Sequence, residues 1–213
     1  MGIKRKVLMD NDWVQLCEMT DDQPPRINGY VYSHEKRCNG NIVAALPHKV
    51  ITENRNGEFV KVLSFLFRVE ATPCWRGKTP VPSSFTGGID YDMREYGPAL
   101  TMAKELREEA GINSINANDL ISLGTCFGTK SCDTVYHLYT IRLTNSQHDT
   151  LEVESELEST AYCKWVEIAL QPVNDRTGTI VFLNDCWPDQ YQFLTDPIAS
   201  QIILRTLLHY SKK

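Results

Sequence analysis

Three glutamates crowd one stretch of this chain, Lys104-Glu105-Leu106-Arg107-Glu108-Glu109-Ala110-Gly111-Ile112, and they limit what it can fold into more than any other feature. Pro98 at a first helical position and Gly111 as a C-terminal cap mark the segment as a helix. At roughly 100° per residue, Glu105, Glu108 and Glu109 then share a sector of roughly 100°. Like charges at that spacing repel, by about a few tenths of a kcal/mol per pair. Such a face is either ordinary solvated helix surface or a place that gathers a cation. Oxygen-only carboxylate sites suit hard divalent ions, Mg²⁺ first, which keeps several waters and binds substrate phosphate as well.

Upstream of the helix runs Ser83-Ser84-Phe85-Thr86-Gly87-Gly88-Ile89-Asp90. A glycine pair lets backbone come close to a phosphate or a metal, and it also serves as a plain tight turn. Together, Gly88 to Ile112 resembles the Nudix box, Gly-x5-Glu-x7-Arg-Glu-U-x-Glu-Glu-x-Gly-U with U aliphatic. Glu105, Leu106, Glu108, Glu109, Gly111 and Ile112 fall in register. Three positions depart from the pattern. Lys104 replaces the arginine, Tyr96 stands at the first glutamate with Glu95 beside it, and Gly88 lies two residues too far upstream.

The resemblance implies an α/β protein, a Nudix-type α/β/α sandwich with a mixed sheet. It would be a single domain over 1–213, with a β-rich N-terminal region at 1–57 and the core at 58–213. It implies Glu105 and Glu109 as direct metal ligands, Glu108 as a ligand or water-holding partner, and the Gly88 carbonyl as a backbone ligand. The cofactor is then Mg²⁺, with Mn²⁺ as an alternative. Lys104 either orients a glutamate in the arginine's place or pairs with Glu108 at i,i+4 on the surface. Family members also recruit an acid from a loop before a Trp-bearing strand. Glu152, Glu154, Glu156 and Glu158 precede Trp165 in that way, with Glu158 the first choice for a general base and Glu156 the second. The alternative is a solvated acidic loop.

Substrate signals are sparser. Phe67-Arg68-Val69-Glu70 is similar to a Tyr-Arg segment of ADP-ribose pyrophosphatases, which makes Arg68 a candidate substrate contact or simply an arginine at a strand end. Phe127 stands where those enzymes carry a proline; its ring could stack on a base or fill core. The implied activity is Mg²⁺-dependent hydrolysis of a nucleoside diphosphate linked to another moiety, ADP-ribose or a nucleotide sugar. Capped RNA, dinucleoside polyphosphates or nucleoside triphosphates are the alternative substrates, and a binding module that has lost catalysis is the alternative class. The N-terminal region matches in length the dimerisation region of the nucleoside-diphosphate-sugar group, so a homodimer is a partner expectation.

The rest of the chain bounds these readings. At 213 residues and 42% hydrophobic it can build one good core. No apolar run approaches the roughly 20 residues of a membrane span, so no membrane partner is expected. A net charge of −5 argues against a general nucleic-acid coat and leaves room for a local basic groove. Seven cysteines without a C-x-x-C pair point to reduced thiols and a cytoplasmic location. Strands are predicted at 13–17, 29–32, 42–46, 58–67, 120–126, 135–143 and 161–166. The 58–67 run is apolar on both faces in its second half, which marks it as central. A last helix opens at Thr195 or Asp196, with Pro197 in its first turn and Ile198, Ile202, Ile203 and Leu207 as its apolar stripe.

Overall fold

The computed structural model describes residues 4–20, 28–55, 57–71, 80–89, 97–144, 162–172, 178–182 and 196–211. Its spine is a long hairpin of β4 (Asn41–Arg55) and β5 (Glu58–Ala71), turned where Asn54 Oδ1 accepts the Gly57 N–H at 3.0 Å. The other strands of this sheet are β6 (Pro80–Ser83), β7 (Phe85–Gly88), β8 (Ile121–Phe127), β9 (Val135–Arg142), β10 (Tyr162–Pro172) and β11 (Gly178–Phe182). Among the described residues the order is β11-β10-β5-β4-β9-β8, with β6 paired to β5 and β7 to β4. β4 and β9 run parallel and the other pairs antiparallel, so the sheet is mixed. β5 lies between β10 and β4, the central position its two apolar faces predict.

Side chains of the spine alternate between two cores, as the strand period of two requires. Val43, Ala45, Leu66, Phe85 and Tyr139 face helix α1 (Gly97–Ala110) and bury its Met102, Leu106 and Ala110. Ala44, Leu46, Phe65, Phe67 and Leu138 face helix α2 (Pro197–Ser211) on the opposite side. Among the described residues, one helix on each face of a mixed sheet makes the α/β/α sandwich expected. The helix ends also follow the sequence. Gly111 takes a φ of +65°, and the Ile112 N–H returns to the Leu106 carbonyl at 3.3 Å.

Helix α2 is fixed at both ends. Asp196, only 3% exposed, caps its start by accepting the Ile198 N–H at 2.8 Å, and takes the Ser84 N–H and hydroxyl at 2.8 and 2.7 Å. At the far end the Tyr210 hydroxyl lies 2.8 Å from Nε2 of buried His48, whose Nδ1 is 2.7 Å from Thr140 Oγ1. The Thr140 hydroxyl donates to the Leu46 carbonyl at 2.8 Å. Its proton being committed there, His48 donates from Nδ1 and accepts from Tyr210 at Nε2, a neutral imidazole.

The region expected at 1–57 divides. β1 (Arg5–Asp10), β2 (Val14–Met19) and β3 (Val31–Glu35) form a separate antiparallel sheet, whereas β4 belongs to the core. The reason lies in β4, where Val43-Ala44-Ala45-Leu46 is fully buried on both faces and must sit inside a sheet covered twice. β1 escaped the sequence reading because all six of its residues are exposed and a bulge between Val7 and Met9 breaks the alternation. The small sheet docks through β3. Ser33 N–H donates to the Ser131 carbonyl at 2.8 Å, and His34 Nδ1 meets Asp133 Oδ2 at 2.7 Å. Among the described residues no helix is long and apolar enough to cross a membrane.

Candidate active site

The burial of the acidic helix follows from its angles. The apolar stripe of α1 runs through Met102, Leu106 and Ala110. Around the axis, Glu109 lies roughly 60° from the centre of that stripe, Glu105 roughly 100°, and Lys104 and Glu108 roughly 160°. Glu109 is accordingly 21% exposed, while Lys104 and Glu108 are 48% and 52% exposed. Glu105 is half-buried. The three carboxylates of the motif therefore separate. Glu105 and Glu109 turn toward the sheet, and Glu108 turns to solvent.

Each inward glutamate meets a feature of the sheet built to receive it. Glu105 lies against Gly87 of β7, where a Cβ would collide with the Glu105 carboxylate and the carbon that bears it. Only glycine leaves that room. Gly88, the candidate backbone ligand, instead packs against Cys38, whose Cβ would stand 3.1 Å from an added Cβ. Spacing alone does not show which glycine of the pair faces the helix, and it is Gly87 that lies against Glu105. Gly87→Ala is expected to leave stability nearly unchanged, since the colliding atoms are the mobile end of a side chain. It should push Glu105 away, so that, where Glu105 helps hold a divalent ion, any rise in melting temperature on adding Mg²⁺ is smaller than in wild type, which differential scanning fluorimetry reads.

Glu109 meets Arg68. The guanidinium of this β5 residue, 12% exposed, pairs through Nη1 with Glu109 Oε1 and through Nε with Glu70 Oε2 at 3.0 Å. Arg68 and Glu70 are two apart on a strand and so share a side. Lys104 lies 3.8 Å from exposed Glu108, the i,i+4 surface pair that was one of its two expected roles. The cation beside Glu109 thus comes from a strand forty-one residues away in sequence, a juxtaposition that no helical spacing encodes. Cys163 of β10 stands across from Arg68, and its Sγ lies 3.9 Å from the Glu109 carbonyl. Burial, with the Glu109 charge adding to it and Arg68 opposing, pushes this thiol up to about 12, so it is protonated and packs rather than reacts.

Glu70 also lines a cavity of about 400 Å³ at the end of the sheet. Ser83, Thr86, Thr129, Tyr136 and Ile198 are among its walls, so the cavity joins the start of α2 to the loop between β8 and β9. The Glu109–Arg68–Glu70 chain connects the acidic helix to this space. Phe127, the other candidate substrate contact, is 77% exposed at the end of β8, and its neighbour Gly128 lines the cavity in its stead. Glu152, Glu154, Glu156 and Glu158 lie outside the described residues.

Among the described residues no three His, Cys, Asp or Glu side chains gather closely enough to hold a metal ion by themselves. Glu105 and Glu109 supply two carboxylates, with the Gly87 backbone against the first. That set does not suit an ion that needs a full protein cage. It fits Mg²⁺, which is ordinarily held by one or two carboxylates, waters and substrate phosphate.

No family model and no curated protein matches the sequence. Among solved structures, the chain is similar to the NUDIX domain of Shewanella oneidensis NrtR complexed with ADP ribose, at 14% identity and a TM-score of 0.40, over 59% of this chain and 70% of that one. It is also similar to a mutT/nudix family protein from Listeria innocua, at 14% identity and a TM-score of 0.39, over 60% of this chain and 79% of that one. The names of both carry the family that Gly88–Ile112 resembles, and at these TM-scores the likeness carries no further argument.

Proposed function

We propose that this chain is a Mg²⁺-dependent hydrolase that cleaves the phosphoanhydride of a nucleoside diphosphate linked to another moiety, ADP-ribose or a nucleotide sugar first. The observation that carries it is the pair of inward carboxylates, Glu105 cradled on Gly87 and Glu109 held by Arg68, joined through Glu70 to a cavity of about 400 Å³. Mg²⁺, which Mn²⁺ could replace, would be held by Glu105, Glu109 and nearby backbone carbonyls, where it neutralises phosphate charge and eases deprotonation of water. Water adds across the anhydride, leaving a nucleoside monophosphate and the phosphorylated second moiety.

The chain's own groups divide the remaining work. Arg68 offers a planar fork of donors suited to phosphate oxygens. The cavity takes an organic part of the substrate, with Tyr136 and Ile198 giving apolar contact and the hydroxyls of Ser83, Thr86 and Thr129 meeting sugar hydroxyls. A glutamate of the 152–158 series, Glu158 before Glu156, accepts the proton from the attacking water. Glu108, turned to solvent, takes no direct part.

The test is a substrate panel with and without millimolar Mg²⁺: ADP-ribose, UDP-glucose, ATP, diadenosine tetraphosphate and a capped dinucleotide. Metal-dependent release of nucleoside monophosphate from the first two is expected. Cleavage confined to the last three moves the substrate class to the alternative. No turnover of any of the five with Mg²⁺ or Mn²⁺ leaves a binding module.

A further inference from the structure

In the metal-free protein, the position a divalent ion would neutralise is already neutralised. Arg68 holds Glu109 with one arm of its guanidinium and Glu70 with the other, and at 12% exposure it has little water to retreat into. A dication at Glu109 and the guanidinium cannot share one carboxylate without strong repulsion in a half-buried setting, where charges are weakly screened. Glu70 offers the displaced guanidinium a second anchor, and Glu70 faces the cavity.

We propose that Arg68 is an exchangeable counter-cation: metal arriving at Glu109 drives its guanidinium off that carboxylate and toward Glu70, where it meets substrate phosphate. The inference rests on the metal-site reading above and adds a coupling to it. The protein binds metal weakly alone because Arg68 competes, and metal and phosphate tighten one another because each favours the same displaced arginine. By linkage the two effects are equal in size. Arg68 is thereby a positioning residue for the metal and a contact residue for the phosphate. Glu70, which touches neither ion in this scheme, sets how easily the exchange runs.

An arginine that merely braces Glu109 makes the opposite prediction, because removing a brace loosens metal binding. The experiment is Mn²⁺ titration followed by electron paramagnetic resonance of the free ion, with and without inorganic pyrophosphate. The proteins are wild type, Arg68→Gln, Arg68→Lys, Glu70→Gln, the Arg68→Gln/Glu70→Gln double variant and Glu109→Gln. Arg68→Gln is expected to tighten Mn²⁺ alone by about tenfold, within the usual range of coupled sites, and to lose the further tightening that pyrophosphate gives wild type. Arg68→Lys, which keeps a charge on β5 should the neutral variant fold poorly, should bind Mn²⁺ no more weakly than wild type. Glu70→Gln should weaken Mn²⁺ several-fold alone, and by much less in the Arg68→Gln background, since it acts through the arginine. Mn²⁺ binding that depends on Glu109 but is loosened or unmoved by both Arg68 variants overturns the exchange and leaves the metal site standing. An equal effect of Glu70→Gln in both backgrounds also overturns it. Binding unchanged in Glu109→Gln overturns the metal site, and the exchange with it.

Discussion

Glu109→Gln is expected to lower metal-dependent turnover by about 10²-fold or more, the loss typical when a group acting on the reacting water or the developing charge is removed. Its amide keeps the shape of the carboxylate but neither the charge that would bind Mg²⁺ nor the charge that faces Arg68. A second consequence separates this variant from an ordinary surface change. Arg68 is left with one charged partner fewer at 12% exposure, so the metal-free protein should lose about 1–3 kcal/mol of stability. Glu108→Gln provides the contrast. At 52% exposure and 3.8 Å from Lys104, Glu108 takes part in a surface pair, and its replacement should change stability by less than about 0.5 kcal/mol. Steady-state kinetics with ADP-ribose and urea unfolding without metal read the two effects. Equal loss of turnover in both variants would return Glu108 to the metal shell. Unchanged turnover in Glu109→Gln would remove the helix from the chemistry.

Much of this was legible before any coordinates. The apolar runs at 42–46 and 58–67, the capping residues Pro98, Gly111, Asp196 and Pro197, and the apolar stripe of α2 all express local rules, and local rules survive folding. The site was legible in its helix and obscure elsewhere, for one physical reason. A helix carries its angular relations in its own sequence, so the inward turn of Glu105 and Glu109 and the outward turn of Glu108 follow from where Leu106 and Ala110 must go. The partners of those carboxylates lie on strands β5 and β7, and which strand residue faces them is decided by sheet order and register. Arg68 was singled out as a substrate contact, but nothing at 67–70 announces that its first partner is a glutamate of the helix. Gly87 and Gly88 are adjacent, and which of them points at Glu105 is decided by the strand's register. β1 was missed because a fully exposed strand carries no hydrophobic alternation to read. The helical wheel shows Glu108 turned to solvent; no such search could have found Arg68 as the neighbour of Glu109.

Acid should destabilise this fold well before its carboxylates are fully protonated, and His48 is the reason. Burial, then the positive charges of Arg142 and His209, push its imidazole down to about 3 from an ordinary 6.5. The folded-state value is the lower one. As pH falls below 6.5 the unfolded chain takes up a proton that the folded chain refuses, and stability is lost progressively down to about pH 3. Each unit is worth about 1.4 kcal/mol, so at pH 4.5 the loss from this group alone reaches roughly 3 kcal/mol. Protonation would also put a donor at Nε2, where the Tyr210 hydroxyl now donates at 2.8 Å, forcing that hydroxyl to turn. His48→Gln keeps a donor and an acceptor but cannot titrate. It should cost about 1 kcal/mol at pH 7 through imperfect hydrogen bonds, and then lose stability more slowly than wild type as pH falls, so that the two curves converge or cross at roughly pH 6. Urea unfolding between pH 7 and 4 measures this, and parallel curves would show that another group governs acid sensitivity. The consequence extends beyond stability. Tyr210 fixes the end of α2 whose beginning presents Asp196 to Ser84 and Ile198 to the cavity. Loosening at His48 is therefore expected to reach that cavity through the helix, and in His48→Gln the cavity should hold its shape to lower pH than in wild type.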